Sequence, residues 1–301
     1  MSVPSPFPIP PRPELPPERV ATAQFALRYE DIAQDGRMTA IALPPAMGWT
    51  VWNQLLDQHP AERALAARGI VPILSRLTIV GSDAAVRVDK PATATGGYQL
   101  ARKDVDGAVA KLFLNMWVEV AGAAGRLVPP QGTGESVVAG WVFAEHTFTR
   151  LFAAAGQRKV TSLDVPGLPS VPKAIHDGPA ATTAMELPAG AIAIDDDYRD
   201  DAAVTAFGLD HTDSNQHVNS LVYPRLFAEA ALRRLAELDR GRKLLVRALD
   251  IAYRKPSFAG DRVRIRTRLF TLGDRVGAAG FVADVDDPDA RPRCCARLML
   301  G

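Results

Sequence analysis

Cysteine, net charge and long apolar runs are all scarce in this chain. Its 301 residues contain two cysteines, the adjacent Cys294 and Cys295. Neighbours in sequence cannot staple distant loops, and nothing beside them suggests a metal cluster, so a reducing, cytoplasmic setting is expected. A formal net charge of +1 leaves no global field to drive the protein onto nucleic acid or a membrane surface. No apolar run approaches the roughly 20 residues that span a bilayer, so no membrane span is expected. The opening stretch MSVPSPFPIPPRPELPPERV lacks the basic and apolar regions of a secretory signal. There is no G-x-x-x-x-G-K-[ST] and no G-x-S-x-G, which argues against a P-loop and an α/β-hydrolase nucleophile. Gly132-Thr-Gly134 lacks the third spaced glycine and a preceding strand, so no dinucleotide is expected, nor any other cofactor.

What is present suits two domains of about 100–150 residues each. The composition, 47% hydrophobic and 23% charged, is that of a globular protein. The proline-dense residues 1–22 predict an extended arm, either a strap on the surface or a disordered tail. A strand is expected at 24–29, a turn at Asp35-Gly36 and a helix within 38–56, where Pro44 and Pro45 restrict its start. Residues 57–69 read as a connection, and strands follow at 73–80, 84–88, 98–103 and 109–120. The span 122–183 reads as a linker, rich in glycine and proline at its start, with a helix of its own over 135–155.

The pattern then restarts, with a strand at 202–209, a helix at 220–238 and strands at 244–253, 262–270, 277–285 and 294–300. The helix carries Val222, Leu226 and Ala230 beside Tyr223, Phe227 and Ala231, with Arg225, Glu229, Arg233 and Glu237 opposite. Residues 262–269 alternate strictly, with arginines on one face. The halves repeat at an offset of about 180 residues near their starts and about 165 near their ends, so Asp35-Gly36-Arg37 answers Asn215-Gln216-His217. The fold class is α+β: two units, 23–121 and 184–301, each a sheet wrapped around a long helix.

Between strand and helix of the second unit lies Asp213-Ser-Asn215-Gln-His217-Val-Asn219-Ser-Leu-Val-Tyr223. This run resembles the D-x-N-x-H-V-N-N-x-x-Y signature of hot-dog-fold thioesterases, above all the acyl-acyl-carrier-protein thioesterases with two hot-dog domains in one chain. The resemblance extends over nearly the whole length. It implies a double hot-dog, each antiparallel sheet wrapping a central helix, and hydrolysis of a fatty acyl or related thioester of acyl carrier protein or coenzyme A. It also implies that Asp213, Asn215 and His217 line the active site. The chain departs from the family where an acidic residue is expected after the helix, because Pro256 and Ser257 stand there. Ala33 and Arg37 answer Asp213 and His217 in the first unit, which therefore lacks the chemistry and leaves one site per chain.

Two readings of the loop stand side by side. In the first, Asp213 is a general base or water-positioning group, Asn215 and His217 hold carbonyl or water, and backbone N–H groups between Val218 and Leu221, Val218 and Asn219 first among them, meet an oxyanion. In the other, Asp213 and Asn215 only form turn hydrogen bonds ahead of an Asn219 or Ser220 cap. His217 is otherwise a structural histidine or, with Asp213, half of a metal pair. Glu229 and Asp250 are candidates for the missing carboxylate, although Arg233 offers Glu229 an ordinary i,i+4 ion pair. Residues 221–270 hold 13 Lys or Arg against 5 Asp or Glu, facing seven aspartates between 195 and 213. Such a basic face fits an acidic carrier protein or the phosphates of coenzyme A, or else a solvated strand face. An idle acyl-thioester or carrier-protein binding module and a hydroxyacyl-thioester dehydratase are the alternatives. A tandem chain fits a monomer as well as a homodimer.

Overall fold

The computed structural model describes residues 6–301 apart from 8, 58, 130–131, 240–242 and 288. Parts of the expected arm, connection and linker, and Arg240 and Arg242 of the basic count, therefore lie outside the described residues.

The first unit begins with β1 (Val20–Phe25), four residues earlier than expected, and Tyr29–Asp31 forms a 3-10 turn. The expected helix is broken in two. A 3-10 turn at Ala40–Ala42 precedes a wide, π-wound helix at Gly48–Leu56, since Pro44 and Pro45 cannot donate to a regular helical ladder. The expected connection contains α1 (Pro60–Ala67), started by Pro60 and by the His59 ring, which accepts the Ala61 N–H. Then come β2 (Ile70–Gly81), β3 (Ala92–Val105), β4 (Ala108–Ala123) and β5 (Ser136–Arg150).

β5 corrects the linker. Residues 135–155 are no helix: β5 lies between β4 and β2 as an integral strand of the first unit, which runs on to Arg150. The expected strand at 84–88 forms only isolated bridges, Arg37 to Ala85 and Val86 to Ala124. Four strands do follow the helix, but the fourth is β5.

Short strands β6 (Ala174–Ile175) and β7 (Ile192–Ala193) mark the true connection. The second unit is β8 (Arg199–Ala206), α2 (Val222–Glu237), β9 (Val246–Tyr253), β10 (Arg262–Leu272), β11 (Arg275–Asp284) and β12 (Cys294–Leu300). Unit one orders its strands β1-β3-β4-β5-β2, and unit two mirrors this as β9-β12-β11-β10 with β8 on β10. The two sheets become one because β2 pairs antiparallel with β9, residues 76–80 against 248–252.

One face of this sheet holds the helices. Tyr223, Phe227, Ala230, Ala231 and Leu235 of α2 pack into a core with Leu249, Ile251, Ile265, Leu269 and Leu298. Where the first helix crosses β3, a Cβ on Gly96 would sit 2.3 Å from the Thr50 hydroxyl, so the close approach requires glycine. The opposite face is covered too. Phe7 is buried among Ala248, Phe270, Ala279 and Met299, and the Trp117 indole donates to Pro10 O at 2.8 Å, so the proline-rich arm is a strap across both units. Beside it the connection lays His176 against Phe113 and Ala184 against Ala252 and Cys295.

Candidate active site

The loop ahead of α2 is built by backbone hydrogen bonds that recur in the first unit. Asp213 N–H donates to His217 O at 3.1 Å and Gln216 N–H to Asp213 O at 2.9 Å. The counterparts, Ala33 N–H to Arg37 O and Gly36 N–H to Ala33 O, measure 2.8 and 2.9 Å. Gln216 (φ 64°) takes the left-handed position that Gly36 (φ 87°) takes in unit one. His211 Nδ1 accepts the Gly208 N–H at 3.0 Å, and in unit one the Asp31 carboxylate accepts the Arg28 N–H at 2.9 Å. His211 therefore closes a turn.

Side chains separate the two loops. Asp213 Oδ1 accepts the Asn215 N–H at 2.9 Å, and its Oδ2 accepts from Asn219 Nδ2 at 3.1 Å. Asn219 Oδ1 in turn accepts the Leu221 N–H at 2.9 Å, just before α2. The amide of Asn219 thus ties the carboxylate to the helix start. A carboxylate has about four lone-pair sites, so two donors leave Asp213 room for a water. His217 Nδ1 lies 3.2 Å from Val218 O. A carbonyl only accepts, so in the neutral ring Nδ1 carries the proton and Nε2 presents a lone pair. The Asn215 side chain is exposed and has no hydrogen-bond partner among the described residues.

Of the N–H groups expected to meet an oxyanion, Val218, Asn219 and Leu221 are occupied, which corrects the choice of Val218 and Asn219. Val218 N–H donates to Ser257 O at 2.8 Å and Asn219 N–H to His211 O at 2.9 Å. Ser220 N–H, by contrast, has no acceptor among the described residues; Tyr253 Oη donates to Ser220 O, in the following peptide, at 2.9 Å. Burial pushes the Tyr253 phenol well above its usual range and raises that of Tyr223, so both rings stay neutral donors.

Ser257, which with Pro256 stands where the resemblance expects an acid, is fully buried behind the loop and accepts from Arg293 at 3.3 Å. Neither candidate for the missing carboxylate reaches the loop as a free group. Glu229 is exposed on α2, 3.7 Å from Arg233. Asp250 lies on the far face of β9, since Leu249 and Ile251 take the helix side. It is buried between Arg76, at 2.7 and 2.5 Å, and Arg297, at 3.0 Å.

The basic face is largely paired. Arg264 and Arg266 meet Asp200 at 3.4 and 2.7 Å, Arg262 meets Asp286 at 3.4 Å, and Arg233 meets Asp201 at 2.5 Å. Arg268 donates to Asp195 O, while the buried Asp195 carboxylate takes Arg234 at 2.6 Å. Of these aspartates, Asp195, Asp200 and Asp201 belong to the acidic run that the sequence sets opposite the arginines, and Asp200 pairs with Arg264 and Arg266 because β8 lies beside β10. Among the described residues no three His, Cys, Asp or Glu side chains cluster as metal ligands. Among them, too, no helix is long and apolar enough to cross a membrane.

No protein-family model and no curated sequence matches the chain. Solved structures do. A provisionally assigned oleoyl thioesterase from Lactobacillus plantarum superposes with a TM-score of 0.60 at 14% identity, over 93% of this chain and 95% of that one. The 12:0-ACP thioesterase from Umbellularia californica gives 0.56 at 14%, over 96% and 99%. An acyl-ACP thioesterase from Bacteroides thetaiotaomicron gives 0.53 at 15%, over 94% and 98%. The chain has the double hot-dog fold of these thioesterase structures. At such identities the likeness shows the fold, and the chemistry rests on the loop.

Proposed function

We propose that the protein hydrolyses acyl thioesters carried by acyl carrier protein or coenzyme A, at the loop of Asp213, Asn215 and His217. The carrying observation is the internal repeat: two loops share their backbone hydrogen bonds, and only the second bears these side chains. Asp213, held by the Asn215 N–H and the Asn219 amide, orients a water and takes its proton as the oxygen attacks the thioester carbon. The Nε2 lone pair of His217 accepts from the same water. Ser220 N–H, at the positive end of α2, meets the developing oxyanion, and the exposed Asn215 amide supports the carbonyl. When the C–S bond breaks, the thiolate takes the proton from Asp213.

Free thiol release from acyl-coenzyme A and acyl-carrier-protein panels tests the reading. Asp213→Ala should lower kcat by about 10²–10⁴-fold with little change in fold. The binding-module alternative draws on Pro256 and Ser257 in the place of the family's acid; it predicts tight binding, no thiol release and no effect of Asp213→Ala on affinity.

A further inference from the structure

The first unit's loop has exchanged its chemistry for arginine. Arg37, the counterpart of His217, donates to Asp35 and to Gly301 O and points Nη1 at Asp83, 3.5 Å away. Arg247 comes to the same carboxylate at 3.2 Å and Arg275 at 3.9 Å. Three guanidiniums thus share one carboxylate, and none of the three contacts is tight. Asp83 is itself 62% exposed.

Arg247 is the unbalanced member. It is the extra residue of a bulge, because β12 pairs Met299 with Ala248 and Leu300 with Val246. Only 2% of its surface is exposed, yet Nε and Nη1 have no hydrogen-bond partner among the described residues. Its guanidinium lies against the backbone of Gly81, where a Cβ would come within 3.4 Å. Burial, followed by the neighbouring Arg37 charge, pushes its pKa below the usual arginine range. A fourth arginine, Arg126, packs its stem and Nε on Gly36. A buried guanidinium with two unmet donors, among like charges, is short of an anion.

The geometry points to a phosphate-binding site formed by Arg37, Arg247 and Arg275 at the first unit's counterpart of the active-site loop. Several forked donors suit the oxygens of a phosphate better than one shared carboxylate. Asp83 is the placeholder: exposed and loosely held, it swings out and the phosphate takes its position. The phosphate is either free or a phosphate monoester on a larger ligand. The site stands whether or not the second loop hydrolyses thioesters.

Calorimetric titration of the full chain with inorganic phosphate, at constant ionic strength, tests this without any turnover. One phosphate per chain is expected. Arg275→Gln, on a half-exposed side chain, should weaken it at least about tenfold, as loss of a charge-assisted hydrogen bond does. Asp83→Asn should tighten it, and phosphate should raise the Tm of that variant more than that of the wild type. Displacement of phosphate by coenzyme A but not by 3′-dephospho-coenzyme A assigns a phosphate monoester; displacement by neither assigns free phosphate. No saturable binding at millimolar phosphate, or binding unchanged by both variants, overturns the site.

Discussion

Asp213 and Ala33 occupy the same backbone position, so what distinguishes them is the set of donors around a carboxylate. Asn219 is the residue to test, because its amide serves Asp213 and its carbonyl oxygen serves the Leu221 N–H. Asn219→Ala should cost about 1 kcal/mol of stability through the lost hydrogen bond to the Leu221 N–H. It should also lower kcat by about tenfold or more as the carboxylate loses a donor. Asn219→Ser keeps an acceptor for Leu221 but no amide for Asp213, so urea midpoints should recover while thiol release stays slow. If both recover together, Asn219 acts only on the helix. Gln216 offers a second test from the same repeat. Its left-handed backbone is strained for any side chain, and unit one uses glycine there. Gln216→Gly should raise stability by up to about 1 kcal/mol, read from thermal unfolding.

Among the elements, β5 shows best why a strand can hide. Gly140, Ala139 and Ala144 blur its pattern, and both of its faces are covered, so no polar alternation marks it. Its β-branched and aromatic content, Val137, Val138, Val142, Phe143, Thr147 and Phe148, was the legible signal. One buried member of β5 makes a pH prediction. His146 faces the helix side, edge-on to Trp52 at 5.4 Å, with Nδ1 unpartnered among the described residues. Burial pushes its pKa down to about 4 from 6.5. As pH falls the unfolded chain takes up this proton first. The stabilisation is complete above about pH 6.5 and is lost progressively as pH drops towards 4, up to about 3 kcal/mol. In urea titrations at pH 7 and 4.5, His146→Phe should lose less stability between the two than the wild type does. Parallel losses would show that the ring charges freely in the fold. β10 and β12 posed no such difficulty. The strict arginine alternation of β10 records one solvated face, and the short apolar run of β12 ends where its pairing ends. The loop of Asp213 was legible as a location, because its polar residues crowd against a helical period. Which N–H groups remain free was not, since Ser257 and His211 reach Val218 and Asn219 from elsewhere in the unit.

At the scale of the whole molecule, the repeat was readable because its loops and helices recur, but the join between the units was not. That join is the pairing of β2 with β9, and at its centre Thr78 lies opposite Asp250. Asp250 accepts from Arg76 of the first unit in a bidentate pair and from Arg297 of β12, all nearly out of water. No sequence pattern links residues 174 positions apart, and the single aspartate inside an apolar strand gave only the hint that something must balance it. The pair disfavours other registers of the two sheets, since a slip of one residue would turn Asp250 to the helix core and leave two guanidiniums unpaired. Asp250→Asn keeps the shape and removes the charge, so it should cost about 3–5 kcal/mol, the usual penalty for stranding a buried partner. The double variant Arg76→Met with Asp250→Leu removes the cross-unit pair altogether and should recover part of that loss. A double-mutant cycle in urea measures the coupling directly. A coupling near zero would mean that the strand hydrogen bonds alone hold the units in register. A large one, accompanied by a single cooperative transition in the wild type and two separated transitions in Asp250→Asn, would show that this carboxylate makes two hot-dog units unfold as one.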